Sequence, residues 1–163
     1  MRASARIIAS GSNQMKPNSA LILDQNGIVL LHRAQNGWRV IGQADPSSEN
    51  LAGEMDYLRR TAMALSGGKF ATKIVVPNDQ ILYREIDVGE VDAADKSAAV
   101  REALEGLTPY GVDELSFDWR AMGGNVVQVA VIAEETLEEA EFFAESHGFN
   151  PLCFAAIDRK SVV

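Results

Sequence analysis

The sequence predicts a mixed α/β fold, and three successive patterns indicate it. First, three short apolar runs are joined by two tight turns, Asp24-Gln25-Asn26-Gly27 and Gln35-Asn36-Gly37, which is typical of an antiparallel meander. Second, a helical pattern leads into the apolar run KIVVP. Third, another helical pattern leads into the run PLCFAAI. A meander followed by strands that are reached through helices indicates one mixed sheet.

The meander consists of the runs SALILD, GIVLLHR and WRVIGQ. The first helix is expected to begin at Asp45-Pro46, an N-cap followed by an N1 proline, and to end at Ser66-Gly67-Gly68. Apolar residues at three- and four-residue spacing predict its buried face: Leu51, Met55, Leu58, Ala62 and Leu65. The run KIVVP that follows is typical of a strand covered on both faces.

The run ILYREIDV, from residue 81, begins a second unit. Asp92 is expected to cap a helix there, and Gly123-Gly124 joins two alternating runs into a hairpin. The chain then returns to the first sheet through a helix that ends at Gly148. Right-handed crossovers would place the two core helices on the faces of that sheet. The expected inward residues are Val100, Ala103, Leu104 and Leu107 in the first of these helices, and Leu137, Ala140, Phe143 and Ala144 in the second.

The net charge of −8 is unevenly distributed along the chain. Residues 85–145 contain sixteen acidic side chains against Lys96, Arg101 and Arg120, a net charge of −13. An acidic surface of that size repels phosphate backbones, so we expect no nucleic acid partner and favour a basic protein surface. A solvated face that only promotes solubility is the alternative interpretation.

The sequence contains no motif for catalysis or metal binding. It lacks CxxC, HExxH, GxSxG and Walker-type patterns, and its two histidines, His32 and His147, are expected to be structural. The single cysteine, Cys153, is expected to be a small buried side chain, which is compatible with a reducing cytoplasm. No apolar run approaches the roughly 20 residues that cross a bilayer, so we expect no membrane insertion of this segment.

Five short motifs, in order, resemble those of the actin-like (ribonuclease H-like) family. They are the strand–proline–strand passage with Pro77 and Arg84, the helix end Leu104-Glu105, the strand Asp113-Glu114-Leu115-Ser116-Phe117, the strand Val129-Ala130-Val131, and the helix end His147-Gly148-Phe149-Asn150-Pro151. Within that family they resemble the cytoplasmic domain of the type II secretion platform protein GspL and its relative, the type IV pilus assembly protein PilM.

The resemblance covers about residues 19–157 and implies an actin-like half-domain. Its mixed sheet has the order β-β-β-α-β…α-β, with an inserted β-α-β-β subdomain. The implied divisions are a flexible N-terminal arm (1–18), the core subdomain (19–80 and 134–157), the inserted subdomain (81–133) and a tail (158–163).

The resemblance implies a non-catalytic scaffold that docks a protein, either an assembly ATPase or an inner-membrane platform protein. It implies a cytoplasmic location, at the inner membrane through a longer parent protein, and it leaves a homodimer open. We expect docking on the inserted subdomain and at the exposed edge of the hairpin 114–133, by strand addition or by electrostatic attraction. The expected contact residues are Glu134, Glu135, Glu138, Glu139 and Trp119.

A first alternative is an actin-like protein that binds ATP with Mg²⁺. Asp24, Gln25, Asn26 and Gly27 would then contact phosphate. This turn has one glycine and no Ser or Thr, whereas a backbone phosphate site needs several converging amides. The chain also resembles only the first half of the fold, so we expect these residues alone to bind no cofactor.

A second alternative is a ribonuclease H-like nuclease, in which carboxylates hold two metal ions. The nearest candidates are Asp24, Glu54 and Asp79. Asp24 and Asp79 lie in predicted turns, where Asp bonds to its own backbone. Glu54 lies beside the apolar stripe and is expected to be solvated. The acidic surface also opposes this alternative, because it repels nucleic acid.

Overall fold

The structure, a computed structural model, describes residues 16–156. Residues 1–15 of the predicted arm and the whole predicted tail lie outside the described residues. The described residues form eight strands and three α-helices: β1 (Ser19–Asp24), β2 (Gly27–Ala34), β3 (Gly37–Ala44), α1 (Leu51–Leu65), β4 (Thr72–Val76), β5 (Leu82–Asp87), α2 (Lys96–Leu104), β6 (Leu115–Gly123), β7 (Val126–Ala133), α3 (Glu134–Ser146) and β8 (Pro151–Ala156).

The main sheet has five strands in the order β3-β2-β1-β4-β8. The meander β1–β2–β3 is antiparallel, while β1, β4 and β8 run parallel. The pairing aligns Leu30, Leu21, Ile74 and Phe154 in one row across four strands, and all four are buried. The predicted mixed sheet is therefore confirmed, with its core on one face.

Both core helices pack against this same face. Met55 and Leu58 of α1 and Leu137 of α3 belong to one apolar cluster together with Leu21 and Ile74 of the sheet. The expectation that the helices occupy both faces is therefore wrong. The crossovers from β3 to β4 and from β4 to β8 run in the same direction across the sheet, and two right-handed crossovers of that kind lie on one side.

The opposite face of the main sheet is covered by no helix of the described part. The apolar run of β4 is nevertheless buried on both faces, as its pattern predicts, because Ile74, Val75 and Val76 are 0%, 7% and 5% exposed. Alternation along the strand places Ile74 and Val76 in the core cluster, whereas Val75 points to the other face and belongs to neither core.

The second sheet has three antiparallel strands in the order β5-β7-β6. Its separate core joins Val100 and Leu104 of α2 to Phe117 of β6 and Val129 of β7. Strand β7 serves both cores, because Ile132 belongs to the first cluster while Val129 belongs to the second. Alternation in this one strand therefore fixes the small sheet against the large one.

Helices α1 and α2 both begin later than the sequence predicts. Asn50, and not Asp45, precedes α1, because the Asp45 carboxylate instead accepts hydrogen bonds from the amide and hydroxyl of Ser47 in a local turn. Similarly, Asp95 and not Asp92 precedes α2.

Two expected core leucines are instead exposed. Leu65 is 49% exposed because it is the last residue of α1. Leu107 is 50% exposed because it lies beyond the end of α2.

Candidate functional site

A cleft of about 330 Å³ opens at the carboxyl ends of β1 and β4. This edge of a parallel sheet is where ligands commonly bind in α/β folds. The cleft is lined by residues from β1 and its turn, from the segment after β4, and from the start of α3: Leu23, Asp24, Gln25, Asn26, Val76, Pro77, Asp79, Gln80, Thr136, Glu139 and Ala140.

Three carboxylates and no basic side chain line this cleft. Asp24 and Asp79 are two of the candidate metal ligands of the nuclease hypothesis, and Glu139 is one of the predicted partner-binding residues. The backbone amide of Asn26 donates to Asp24 Oδ1 at 2.9 Å, so the turn bonds to itself. A triphosphate would therefore meet negative charge at a turn in which the Asn26 amide is already occupied.

The structure does not bring the third nuclease carboxylate to this place. Glu54 instead accepts hydrogen bonds from the Asp45 amide at 2.9 Å and the Ser48 hydroxyl at 2.8 Å, which fixes the turn before α1. The expectation that Glu54 is simply solvated is therefore wrong. Within residues 16–156, no group of three or more His, Cys, Asp or Glu side chains is arranged to hold a metal ion.

The outer face of α3 combines acidic side chains with an exposed aromatic ring. Successive helix residues are rotated by about 100°, because a turn takes 3.6 residues. This rotation groups Glu135, Glu138, Glu139 and Glu145 around Phe142. All five are exposed, and Phe142, at 72%, is the most exposed large apolar side chain of the described residues. We call these five residues the acidic α3 face.

The other two predicted contact residues have partners inside the protein. The hydroxyl of Ser116 donates to Glu134 Oε2 at 2.7 Å, which joins the start of α3 to β6. The indole Nε1 of Trp119 donates to Ser97 Oγ at 3.0 Å, and Lys96 Nζ lies 5.9 Å from the ring centroid. Trp119 therefore connects β6 to α2 within the small unit, and Glu134 connects the start of α3 to β6.

Sequence reasoning missed Phe142, although the signal was present. The inward positions Leu137, Ala140 and Ala144 define one side of α3, and Phe142 falls on the opposite side, among the glutamates. An aromatic residue in the polar stripe of an amphipathic helix is an exception to the pattern of a surface helix. Exposed aromatic rings of this kind are common anchors of protein interfaces.

No described helix is long and apolar enough to cross a membrane. The chain matches no protein-family model and no curated protein sequence.

Several solved structures do match this chain. The cytoplasmic domain of EpsL, an inner-membrane component of the type II secretion system of Vibrio cholerae, matches with a TM-score of 0.65 and 11% identity, over 85% of this chain and 56% of that one. The PilM–PilN type IV pilus biogenesis complex matches with a TM-score of 0.62 and 17% identity, over 86% of this chain and 47% of that one. A Bacteroides thetaiotaomicron protein with an actin-like ATPase fold matches with a TM-score of 0.41 and 12% identity, over 85% and 51%.

The chain thus spans about half the length of the EpsL chain and about half the length of the PilM chain. At these identities the matches concern the fold alone. The matches with EpsL and PilM confirm the predicted resemblance, because the chain shares the fold of the EpsL cytoplasmic domain and of PilM.

Proposed function

We propose that this chain is a non-catalytic scaffold domain that docks a basic protein partner through the acidic α3 face. The observation that carries the proposal is the ring of Phe142, which lies exposed among four glutamates on one helix face. An aromatic anchor can fill an apolar pocket, while the surrounding carboxylates attract cations and set the orientation of the partner.

The fold agrees with such a role. One of the matched structures is a complex of two assembly proteins, PilM and PilN, and another is the cytoplasmic domain of an inner-membrane component. By analogy, we propose a cytoplasmic domain of a longer assembly protein, whose partner is a secretion or pilus ATPase or a platform protein. The acidic α3 face supports this proposal from the chain itself, and the fold supports it by analogy.

Site-specific photocrosslinking tests the docking surface. A photoreactive phenylalanine analogue replaces Phe142 in the full-length protein, expressed in its own host, and the matched control replaces Tyr57, which is 62% exposed on α1. We expect one discrete crosslinked protein from position 142 and none from position 57. Equal labelling at both positions, or none at 142, would refute docking at this face.

Charge reversal separates this face from the inserted subdomain that sequence reasoning favoured. Replacing Glu135, Glu138 and Glu139 with Lys is expected to abolish the crosslink at position 142. The control replaces three exposed glutamates of the inserted subdomain, Glu90, Glu102 and Glu105, and changes the net charge by the same amount. If the control variant loses the crosslink and the α3 variant keeps it, the inserted subdomain is the docking surface.

Actin-like nucleotide binding remains the alternative proposal, because the cleft lies at the carboxyl ends of β1 and β4 and includes Asp24, Gln25 and Asn26. Calorimetry of the full-length protein with Mg-ATP tests it. Heat of binding at submillimolar nucleotide that disappears in Asp24→Ala would support the alternative, and no heat at millimolar nucleotide would remove it.

A further inference from the structure

Strand β6 forms one edge of the small sheet. The sheet has the order β5-β7-β6, so β6 pairs with β7 on one side and with no strand of residues 16–156 on the other. The second half of β6, from Arg120 to Gly123, is exposed. An edge strand presents a row of backbone N–H and C=O groups with which another strand can pair. The residues of β6 determine which strand fits there.

The hydrogen bonds of the small sheet show which backbone groups of β6 point to this edge. The Val88 amide donates to the Asn125 carbonyl at 2.9 Å, and these two residues continue the register of β5 with β7. Hydrogen-bonded and non-hydrogen-bonded pairs alternate, so Arg84 and Val129 also form a hydrogen-bonded pair. Both backbone groups of Val129 therefore point to β5. Its neighbour on β6, Trp119, must turn its own amide and carbonyl outward.

A contact of the Trp119 amide agrees with this direction. The amide donates to Asp118 Oδ1 at 2.8 Å, so a side chain and not a strand accepts its hydrogen bond. Alternation gives the same outward direction to the backbone groups of Phe117 and Ala121. The edge thus carries three residues, at a spacing of two, whose amides and carbonyls are turned to the outside.

The side chains of β6 are complementary to those of a second, antiparallel β6. With Trp119 opposite itself, Phe117 lies opposite Ala121 and Asp118 lies opposite Arg120. Outward backbone groups then meet outward backbone groups, and each of these pairs can exchange two hydrogen bonds. Asp118 and Arg120 form a non-hydrogen-bonded pair, in which cross-strand side chains are closest. The two-fold axis makes this pair of opposite charges occur twice.

Other ways of pairing two copies lose this match. Moving the axis along β6 by one residue places Asp118 opposite Asp118 or Arg120 opposite Arg120. The other edge strand of the small sheet, β5, places Arg84 or Glu85 opposite itself at its centre. Like charges directly opposite each other destabilise a strand pair. Charge complementarity therefore favours the β6 edge, with Trp119 on the axis.

We propose that this protein forms a weak symmetric dimer, in which β6 of one copy pairs antiparallel with β6 of a second copy about Trp119. Asp118 then releases the Trp119 amide of its own chain and pairs with the partner's Arg120. Repulsion between the two acidic units keeps the dimer weak, although salt screens charges beyond about 8 Å under physiological conditions. The β6 edge is separate from the acidic α3 face, so either proposal can fail without the other.

Sedimentation equilibrium of the full-length protein, at about 0.15 M salt, measures the dimer. We expect Arg120→Asp to raise the dissociation constant at least tenfold, because both charge pairs become repulsive. Asp118→Arg should do the same, although it changes the net charge in the opposite direction. The control Lys69→Asp makes the same change of charge as Arg120→Asp at an exposed position before β4, and it should leave the dissociation constant unchanged.

Two combinations test the register itself. Asp118→Arg together with Arg120→Asp in one chain restores opposite charges across the axis, so association should return to within about threefold of the wild type. An equimolar mixture of the two single variants should also associate, since both pairs of the mixed dimer join opposite charges. Hydrogen exchange should show the amides of Phe117, Trp119 and Ala121 becoming more protected as the protein concentration rises.

Four outcomes would overturn the proposal. The first is wild-type protein that stays monomeric at every concentration, and the second is a dimer that neither single variant weakens. The third is a double variant that melts at the wild-type temperature but does not associate. The fourth is protection of the three amides in monomeric protein, independent of concentration, which would show that another segment of the same chain pairs with β6.

Discussion

Ser116 and Glu134 join the small sheet to the start of α3 through a hydrogen bond. Ser116 is 1% exposed on β6, and its hydroxyl donates to Glu134 Oε2, 2.7 Å away, in the first turn of α3. Residue 134 is also where the chain returns from the small sheet to the main one. A glutamate predicted from charge alone as a docking residue therefore has an internal role at the junction of the two units.

Ser116→Ala should lower the free energy of unfolding by about 1.5–3 kcal/mol, the usual contribution of a hydrogen bond to a charged group. Chemical denaturation measures it. The control is Ser146→Ala, which removes a bond from an exposed hydroxyl to the Phe142 carbonyl and should cost less. Equal losses of unfolding free energy in the two variants would show that the Ser116 hydrogen bond stabilises the fold no more than an exposed one does.

Gly42→Ala should destabilise the fold through overpacking. A Cβ at Gly42 would lie 2.4 Å from Leu58 Cδ2, and Leu58 is 1% exposed in the core. We expect a loss of about 1–3 kcal/mol, measured by thermal and urea unfolding. Gly27→Ala, where a Cβ meets nothing within 4 Å, is the matched control and should be close to neutral. A partial recovery of stability in Gly42→Ala with Leu58→Ala would identify the clash as the cause.

Thr72→Val should leave stability unchanged or raise it by up to about 1 kcal/mol. Thr72 is fully buried and its hydroxyl has no hydrogen-bond partner among residues 16–156, so an apolar group of the same shape removes an unsatisfied polar atom. The control Thr61→Val removes an exposed hydroxyl that donates to the Tyr57 carbonyl. A clear loss of stability in Thr72→Val alone would indicate a bound water as the missing partner.

Asp56→Asn should lower the melting temperature slightly at pH 7, and the difference from the wild type should shrink as the pH falls below about 4. The hydrogen bond from Arg59, together with the charges of Arg60 and Arg59, holds the pKa of Asp56 below its usual value. A depressed folded pKa stabilises the fold above about pH 4, the unfolded value, and this contribution is lost as the pH falls through the folded pKa. Melting curves of variant and wild type should therefore converge at low pH; divergence there would contradict the assignment.

Strand positions followed from local patterns, but the starts of α1 and α2 did not. Alternating or wholly apolar runs bounded by turns predicted the strands, because a pleated strand shows its two faces directly in sequence. The Asp45-Pro46 signal failed because the carboxylate of Asp45 bonds to Ser47 instead of to a helix end. A capping residue and a turn residue use the same chemistry, so sequence cannot tell which one forms.

The candidate surfaces depended on tertiary structure in the same way. Nothing local to Glu139 indicates that it shares a cleft with Asp24 and Asp79, since the crossover to α3 creates that proximity. The exposure of Phe142 was readable from helix rotation, but only packing showed that no neighbouring described element covers it.

By itself, the sequence determined the order of elements, the mixed sheet, the acidic character of residues 85–145 and the resemblance to an actin-like half-domain. These properties are local, or they are sums over residues. The tertiary structure alone decided that both core helices share one face of the sheet and that no helix within residues 16–156 covers the opposite face. The reason is connectivity: the side on which a crossover lies depends on strand order, which no single segment of the chain encodes.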